Sequence, residues 1–337
     1  MSRRQEKSRG QGISHDTRWA MFVFALICLS TYYVGVSLDT FGWVFKFKNP
    51  THARIGMDNG QLKELLETNK CEPENLSRKQ LWQLFVAYAV YPGDDFQSPE
   101  AVKRYTDNFI TATRRSYTLL DGKMDELHAK FDQGRKPVTI SGVRLPWSTL
   151  VWAKTCVESQ FLVNAYNKQS GAGGLSQFWP PTARRLSVKV WDPYDSLEKG
   201  ELYLTMLEEE AVRHQLTKAD AFALYHMGGG NAAQLRKVAL KDWDIPGQLD
   251  IPTIVILAKL YPKESRNIWA FLNKKKDHPE RYLFLVFGRA ILRQAYLDAG
   301  KGEAGEAEVR ATVQEAVALK TQVAKTMCAK PSLFGAR

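Results

Sequence analysis

A glutamate and a glycine-rich loop follow one another near the middle of this sequence, and together they suggest acid–base chemistry. Glu158 lies late in a segment of large apolar residues that runs from Leu150 to Leu162. A carboxylate among apolar groups has its charged form disfavoured, so its pKa rises. A carboxyl group with a raised pKa can act as a general acid near neutral pH.

The loop after Glu158 carries groups that suit a carbohydrate ligand. Its glycines, between positions 171 and 174, let the backbone approach a ligand closely. Gln177 offers an amide to sugar hydroxyl groups, and flat apolar faces are available on Phe178, Trp179 and Tyr225. The pattern predicts a sugar-binding cleft. The alternative for Glu158 is a solvated glutamate at a helix end, followed by an ordinary loop.

Five motifs succeed one another within residues 147–271. They are Glu158-Ser159-Gln160-Phe161, Gly171-Ala172-Gly173-Gly174-Leu175-Ser176-Gln177, Asp192-Pro193, Gly200-Glu201-Leu202-Tyr203-Leu204 and Tyr225-His226-Met227-Gly228-Gly229-Gly230. In this order and at these spacings, the motifs resemble the soluble lytic transglycosylase (SLT) family, which is related to goose-type lysozyme. The later stretch 262–267 resembles another segment of the same family.

The resemblance implies an enzyme that cleaves the bond between N-acetylmuramic acid and N-acetylglucosamine in peptidoglycan and leaves 1,6-anhydro ends. Glu158 would be the catalytic residue, acting first as acid and then as base, without a metal or an organic cofactor. The same resemblance implies that substrate is bound by Ser159, Gln177, Phe178, Trp179, Tyr225 and His226.

The sequence departs from the family pattern at several positions of the proposed site. Ser176 and Trp179 stand where the family has methionines, His226 replaces an asparagine, and Ile268 replaces a late tyrosine. The loop after Phe161 is also one residue longer than usual. These changes affect substrate contacts, whereas the motif glutamate is intact.

The elements that must position these residues are mostly helices. The patterns predict a mainly α fold: a helical accessory region (61–146), a lysozyme-like catalytic domain (147–275) and a C-terminal helical region (276–337). Residues 138–145 predict a small hairpin, and 251–260 a buried core helix. A single helical stripe is expected to contain Tyr117, Leu120, Met124, Leu127 and Phe131, ending at Gly134.

The N-terminal region predicts a membrane anchor. Residues 19–38 carry no charge, and twenty helical residues span about 30 Å, the thickness of the bilayer interior. The preceding tail (1–18) holds five basic and two acidic residues, which favours a cytoplasmic location for it. The chain would then be a single-pass protein of the bacterial inner membrane, with a linker (39–60) and its remaining domains in the periplasm. A cleaved signal peptide is the alternative.

Composition and charge limit the classes of partner. The 337 residues are 44% hydrophobic with a formal net charge of +11, which is a globular composition that suits an acidic polymer such as peptidoglycan. A nucleic-acid binder is disfavoured because the basic residues are dispersed. The accessory region could dock onto a secretion or conjugation complex, although simple packing onto the catalytic core is favoured.

Two other functions remain open from the sequence. The chain could be a noncatalytic peptidoglycan-binding scaffold, or a muramidase that hydrolyses with water positioned by a second acid, for which Asp192 is the nearest candidate. One disulfide among Cys71, Cys156 and Cys328 is open as well, although Cys156 is expected in the core.

The apolar run 19–38 leads to a first prediction. The full chain should fractionate with the inner membrane, whereas a fragment beginning near Gly60 should be soluble, because the fragment lacks the only long uncharged run. Cell fractionation followed by mass determination tests this. Full-length protein found in the soluble periplasmic fraction and trimmed near residues 35–45 would indicate a cleaved signal instead.

Overall fold

The computed structural model of the protein describes residues 78–91, 98–120, 122–141, 143–243, 249–275 and 277–327. The predicted tail, membrane segment and linker, as well as Cys71 and Cys328, lie outside the described residues. Within these ranges, no helix is long and apolar enough to cross a membrane.

The described chain is mainly helical, as predicted, with one two-stranded antiparallel hairpin. The helices and strands are α1 (Arg78–Val90), α2 (Pro99–Leu119), α3 (Met124–Asp132), β1 (Val138–Ile140), β2 (Val143–Leu145), α4 (Trp147–Ser159), α5 (Pro180–Arg185), α6 (Pro193–Arg213), a 3₁₀ turn (Lys218–Asp220), α7 (Ala221–Met227), α8 (Gly229–Trp243), α9 (Ile251–Leu260), α10 (Arg266–Leu272), α11 (Pro279–Asp298) and α12 (Gly302–Met327).

Helix α4 lies at the centre of the core. Every side chain from Trp147 to Cys156 is buried, including those at positions that would face solvent in a surface helix. A helix that is apolar around most of its circumference is packed on all sides. Helix α11 runs against α4, and α6 lies on another side of it.

The accessory region packs onto the C-terminal helices. On α1, Phe85 places its ring 6.1 Å from Phe284 and 5.8 Å from Phe287 of α11. The two helices approach closely at Gly288, where a Cβ atom would lie only 3.0 Å from the Phe85 carbonyl oxygen. The long helix α12 covers α1 and α11. The described part of the accessory region is therefore packed into the same core, in agreement with the favoured interpretation.

Three sequence predictions of local structure can be compared with the fold. The hairpin at 138–145 and the buried helix at 251–260 are confirmed. The single stripe from Tyr117 to Phe131 is wrong, because α2 ends at Leu119 and α3 begins at Met124. The chain turns between them at Gly122, whose φ of +77° is a backbone conformation that glycine adopts without strain.

A buried carboxylate joins the start of α7 to the start of α9. Asp220 is fully buried and accepts hydrogen bonds from the backbone N–H of Ile251, at 2.6 Å, and of Thr217, at 2.8 Å. Removing this acceptor takes the partner from the buried Ile251 N–H and from the partly buried Thr217 N–H, which is costly.

We therefore expect Asp220→Ala to lower the free energy of unfolding by about 2 to 4 kcal/mol, measured by chemical denaturation. Asp242→Ala is the matched control, since Asp242 accepts from the Asn267 side chain at 2.6 Å and from the Ile268 N–H at 2.8 Å near the surface. Water can replace the exposed bond from Asn267, so the control should cost less than Asp220→Ala does. Equal losses in both variants would contradict the prediction.

Candidate active site

Glu158 lies in the last turn of α4, at the edge of the core. The helix ends at Ser159, one residue later, because Gln160 adopts a left-handed conformation with φ of +51°. Glu158 is partly exposed, whereas the residues before it on α4 from Trp147 to Cys156 are all buried. Its position combines an apolar environment with access from solvent.

Three influences set the pKa of Glu158. Burial raises it above the ordinary carboxyl value, and this is the largest effect. The charge of Lys154 and a hydrogen bond from Tyr282 lower it, but they do not cancel the effect of burial. The raised pKa confirms the direction predicted from the apolar sequence around Glu158.

The hydrogen bond to Glu158 comes from a distant part of the chain. The Tyr282 hydroxyl, on α11, donates to Glu158 Oε1 at 3.0 Å. Ile268, which replaces the family's late tyrosine, is fully buried and has no hydroxyl to offer. Sequence reasoning missed Tyr282, because nothing in the local pattern of α11 indicates a partner 124 positions away.

His226 reaches the site through Tyr282. The two rings stack with their centroids 4.2 Å apart and their planes 7° from parallel. His226 Nε2 lies 3.6 Å from Asp277 Oδ2. Burial lowers the pKa of His226, and the nearby Asp277 opposes that effect only in part. The structure thus places His226 beside the tyrosine that holds Glu158, and its predicted contact with substrate stays a prediction.

Polar contacts fix both ends of α4. At the first turn, Asp132 accepts from the backbone N–H of Ser148 at 2.8 Å. At the last turn, Arg289 of α11 donates to the Cys156 carbonyl, and Arg115 of α2 donates to the Gln160 carbonyl at 2.7 Å. The Cys156 carbonyl also accepts from the Gln160 N–H at 3.1 Å, so Arg289 adds a second bond there, and the two arginines attach the end of α4 to α11 and α2.

Cys156 is a free, buried thiol, as the sequence suggested for a core position. Its sulfur lies 3.3 Å from Arg289 Nη1. Among the described residues Cys156 has no disulfide partner, and Cys71 and Cys328 lie outside them.

The glycine-rich loop folds back on itself and uses Gln177 to do so. Isolated β-bridges connect Gly173 to Tyr166 and to Phe178. The Gln177 side-chain amide donates to the carbonyls of Ala165 and Gly174, both at 2.9 Å. Both amide hydrogens are thus used within the loop. The side-chain oxygen of Gln177 is the part of the amide that a sugar hydroxyl could reach.

The predicted aromatic faces fall into two groups. Phe178 is only 2% exposed, and its ring lies 6.2 Å from that of Tyr203 in the core. The prediction that Phe178 offers a face to substrate is wrong, because neighbouring side chains cover the ring. Trp179, in contrast, is 57% exposed at the start of α5. It is available to a ligand.

Ser159 is buried, and its hydroxyl is already engaged. It donates to the Thr155 carbonyl and accepts from the Phe161 N–H, both at 3.2 Å. Ser159 therefore helps to end α4 directly after Glu158. Its hydroxyl is turned toward the backbone of its own turn rather than toward a cleft.

Tyr225 connects the glycine-rich loop to Lys154 of α4. Its hydroxyl donates to the Ser176 carbonyl, and its ring lies 4.5 Å from the Lys154 ammonium nitrogen. The Ser176 hydroxyl donates to the Ser196 carbonyl at 2.9 Å, which attaches the loop to α6. The serine that replaces a family methionine is therefore a structural contact.

Asp192 caps α6. Its carboxylate accepts from the N–H groups of Tyr194, at 3.0 Å, and Asp195, at 3.1 Å. This is the usual role of an aspartate at a helix N-cap. Asp192, the second acid that the muramidase alternative would use to position water, is thus engaged as a helix cap.

Tyr282→Phe should raise the pKa of Glu158 further, because the lost hydrogen bond favours the charged carboxylate. Carbon-detected NMR titration of the Glu158 carboxyl measures this. Tyr194→Phe is the control, since it removes a phenol that bonds the Leu120 carbonyl at 3.2 Å. A Glu158 pKa in the ordinary carboxyl range in the wild type, or an unchanged value in Tyr282→Phe, would contradict the assignment.

Comparison with known families identifies the central segment. The model of the transglycosylase SLT domain matches residues 146–242, which run from the residue before α4 into α8. The match includes Glu158, the glycine-rich loop and Tyr225, whereas Tyr282 lies beyond it. Searches of curated proteins and of solved structures gave no match. Residues 146–242 thus match the transglycosylase SLT domain, in agreement with the resemblance that the motifs in this segment indicated.

Proposed function

We propose that this protein is a peptidoglycan lytic transglycosylase and that Glu158 is its catalytic residue. The observation that carries the proposal is Glu158 itself, a partly exposed residue whose carboxyl has a pKa raised by burial and which lies in the SLT segment. A carboxyl group with a raised pKa keeps its proton to higher pH than an ordinary carboxyl group and can give that proton to a leaving oxygen.

The proposed reaction uses Glu158 twice. The protonated carboxyl donates its proton to the glycosidic oxygen, and the bond from that oxygen to the anomeric carbon of N-acetylmuramic acid breaks. The resulting carboxylate takes the proton from the 6-hydroxyl of the same sugar, and the 6-oxygen bonds to the anomeric carbon. The products are a 1,6-anhydro end and a free N-acetylglucosamine end. No water is consumed, and Glu158 is protonated again.

A single carboxylate at the site supports this reaction over hydrolysis. Most glycosidases use two carboxyl groups on either side of the scissile bond. Among the described residues, Lys154 is the charged group that acts on Glu158, and no second carboxylate contributes to its pKa. Asp192 is held at the N-cap of α6. These observations favour attack by the sugar's own hydroxyl over attack by positioned water.

The same proposal gives substrate-binding roles to residues around Glu158. Trp179 would provide an exposed apolar wall for a sugar ring, and the Gln177 oxygen would accept from a hydroxyl group. The net charge of +11 suits the acidic groups of peptidoglycan. Tyr282 would hold the carboxylate form of Glu158 through its hydrogen bond.

The proposal includes a membrane anchor at residues 19–38. Its support is the uncharged run and the basic tail before it. A domain tethered to the periplasmic face of the inner membrane would lie within reach of the cell wall. Service to a secretion or conjugation complex is a further hypothesis, and the packing of α1 onto α11 gives the accessory region a sufficient role without it.

The proposal predicts that Glu158→Gln abolishes the release of 1,6-anhydro muropeptides and leaves binding to insoluble peptidoglycan largely unchanged. Glutamine keeps the shape of the side chain but cannot donate and recover a proton. The rate should fall by at least about 10³-fold, since loss of general acid–base catalysis costs on the order of 10² to 10⁴. Mass spectrometry of digests and a pelleting assay measure the two effects.

Glu198→Gln is a suitable control, because Glu198 forms a surface ion pair with Lys130 on another helix. It should leave product release unchanged. Equal anhydro product from the wild type and Glu158→Gln would refute the catalytic assignment. Reducing ends instead of anhydro ends would indicate a muramidase. A wild type that pellets with peptidoglycan but releases nothing would indicate a noncatalytic scaffold.

A further inference from the structure

A buried lysine lies one helical turn before the proposed catalytic residue. Lys154 precedes Glu158 by one turn on α4, so the two side chains lie on the same face of the helix. Lys154 is 0% exposed, and its ammonium nitrogen has no hydrogen-bond partner. A buried charge without hydrogen bonds is costly, so its presence calls for a compensating interaction.

The surroundings of Lys154 hold its ammonium group in place. The nitrogen lies 4.5 Å from the centre of the Tyr225 ring, a distance at which a cation is attracted to an aromatic face. Gly200 of α6 lies against the same group, since a Cβ atom there would clash with the Ser176 hydroxyl and lie 3.4 Å from the Lys154 nitrogen. Three elements of the SLT segment therefore enclose this one group.

Among the described groups around Glu158, Lys154 is the one whose charge acts on the carboxyl. Tyr282 of α11 and Tyr225 of α7 lie beside the carboxyl, and burial raises the pKa of both phenols well above their usual value, which keeps them neutral. Tyr203 of α6 stands behind Tyr225. His226 and its neighbours Asp277 and Glu280 interact with one another and do not act on Glu158.

We propose that Lys154 acts through Glu158, its buried ammonium group stabilising the carboxylate that forms each time Glu158 gives up its proton. This inference rests on the proposed function. Lys154 does not touch substrate, because it is fully buried, so it is a positioning residue rather than a catalytic one. The interaction is reciprocal: burial lowers the pKa of Lys154, and the Glu158 charge raises it.

The test replaces the charge with a side chain of similar length. In Lys154→Met, Glu158 should hold its proton to higher pH, since the carboxylate loses its stabilising charge. Activity requires a protonated Glu158, so the alkaline limb of the pH–rate profile should move to higher pH. The maximal rate should fall on the order of tenfold, because a weaker acid transfers its proton more slowly.

Lys320→Met is a closely matched control. Lys320 on α12 is also a buried lysine whose nitrogen lies over a tyrosine ring, 4.6 Å from the centre of Tyr88. It is far along the chain from the SLT segment and donates to the Tyr91 carbonyl at 3.0 Å. Its replacement should reduce stability without moving the limb. If Lys154 had only a structural role, Lys154→Met would also leave the alkaline limb in place and would lower the rate by the same factor at every pH.

Two measurements on the full chain separate this inference from the proposed function. The first is the pH–rate profile for release of 1,6-anhydro muropeptides by wild type, Lys154→Met and Lys320→Met. The second is NMR titration of the Glu158 carboxyl in the same three proteins, which needs no activity. An unchanged Glu158 titration in Lys154→Met would overturn the role of Lys154. A wild type without product, combined with a shifted titration, would overturn only the transglycosylase function.

Discussion

Helix α4 must be buried on nearly all sides and yet bring a carboxyl group to a surface that a ligand can reach. The helix meets both requirements through the way it ends. Gln160 turns the chain with a positive φ, the Ser159 hydroxyl bonds the backbone on both sides of the turn, and Glu158 is left at the boundary of the core.

Because α4 is enclosed, the site depends on elements outside the SLT segment. Helix α11 supplies Tyr282 to the carboxyl and Arg289 to the carbonyl two residues before it. Helices α1 and α12 in turn cover α11, and Gly288 allows α1 to approach it. The C-terminal helical region is therefore part of the candidate active site. A fragment limited to residues 146–242 would lose the hydrogen bond that lowers the pKa of Glu158.

Sequence patterns predicted what depends on local spacing. The hairpin, the buried helix α9, the mainly α class and the raised pKa of Glu158 all follow from neighbours along the chain. Phe178 was misjudged because the sequence does not say which aromatic ring another element covers. Tyr282 was missed because its contact joins distant positions. Lys154 could have been noticed, since a lysine four residues before the glutamate in an apolar helix shares its face.

An acid that must later act as a base needs a pKa that is neither too low nor too high. At Glu158 burial pushes the pKa up, while Lys154 and Tyr282 push it down, and these two come from different parts of the fold. The lysine is local and enclosed by the SLT segment, whereas the tyrosine arrives only when α11 packs against α4. The lysine contributes a charge, whereas the hydrogen bond from Tyr282 also orients the carboxyl group, because it fixes which oxygen faces the protein. In the proposed reaction, the other oxygen would exchange the proton with the substrate.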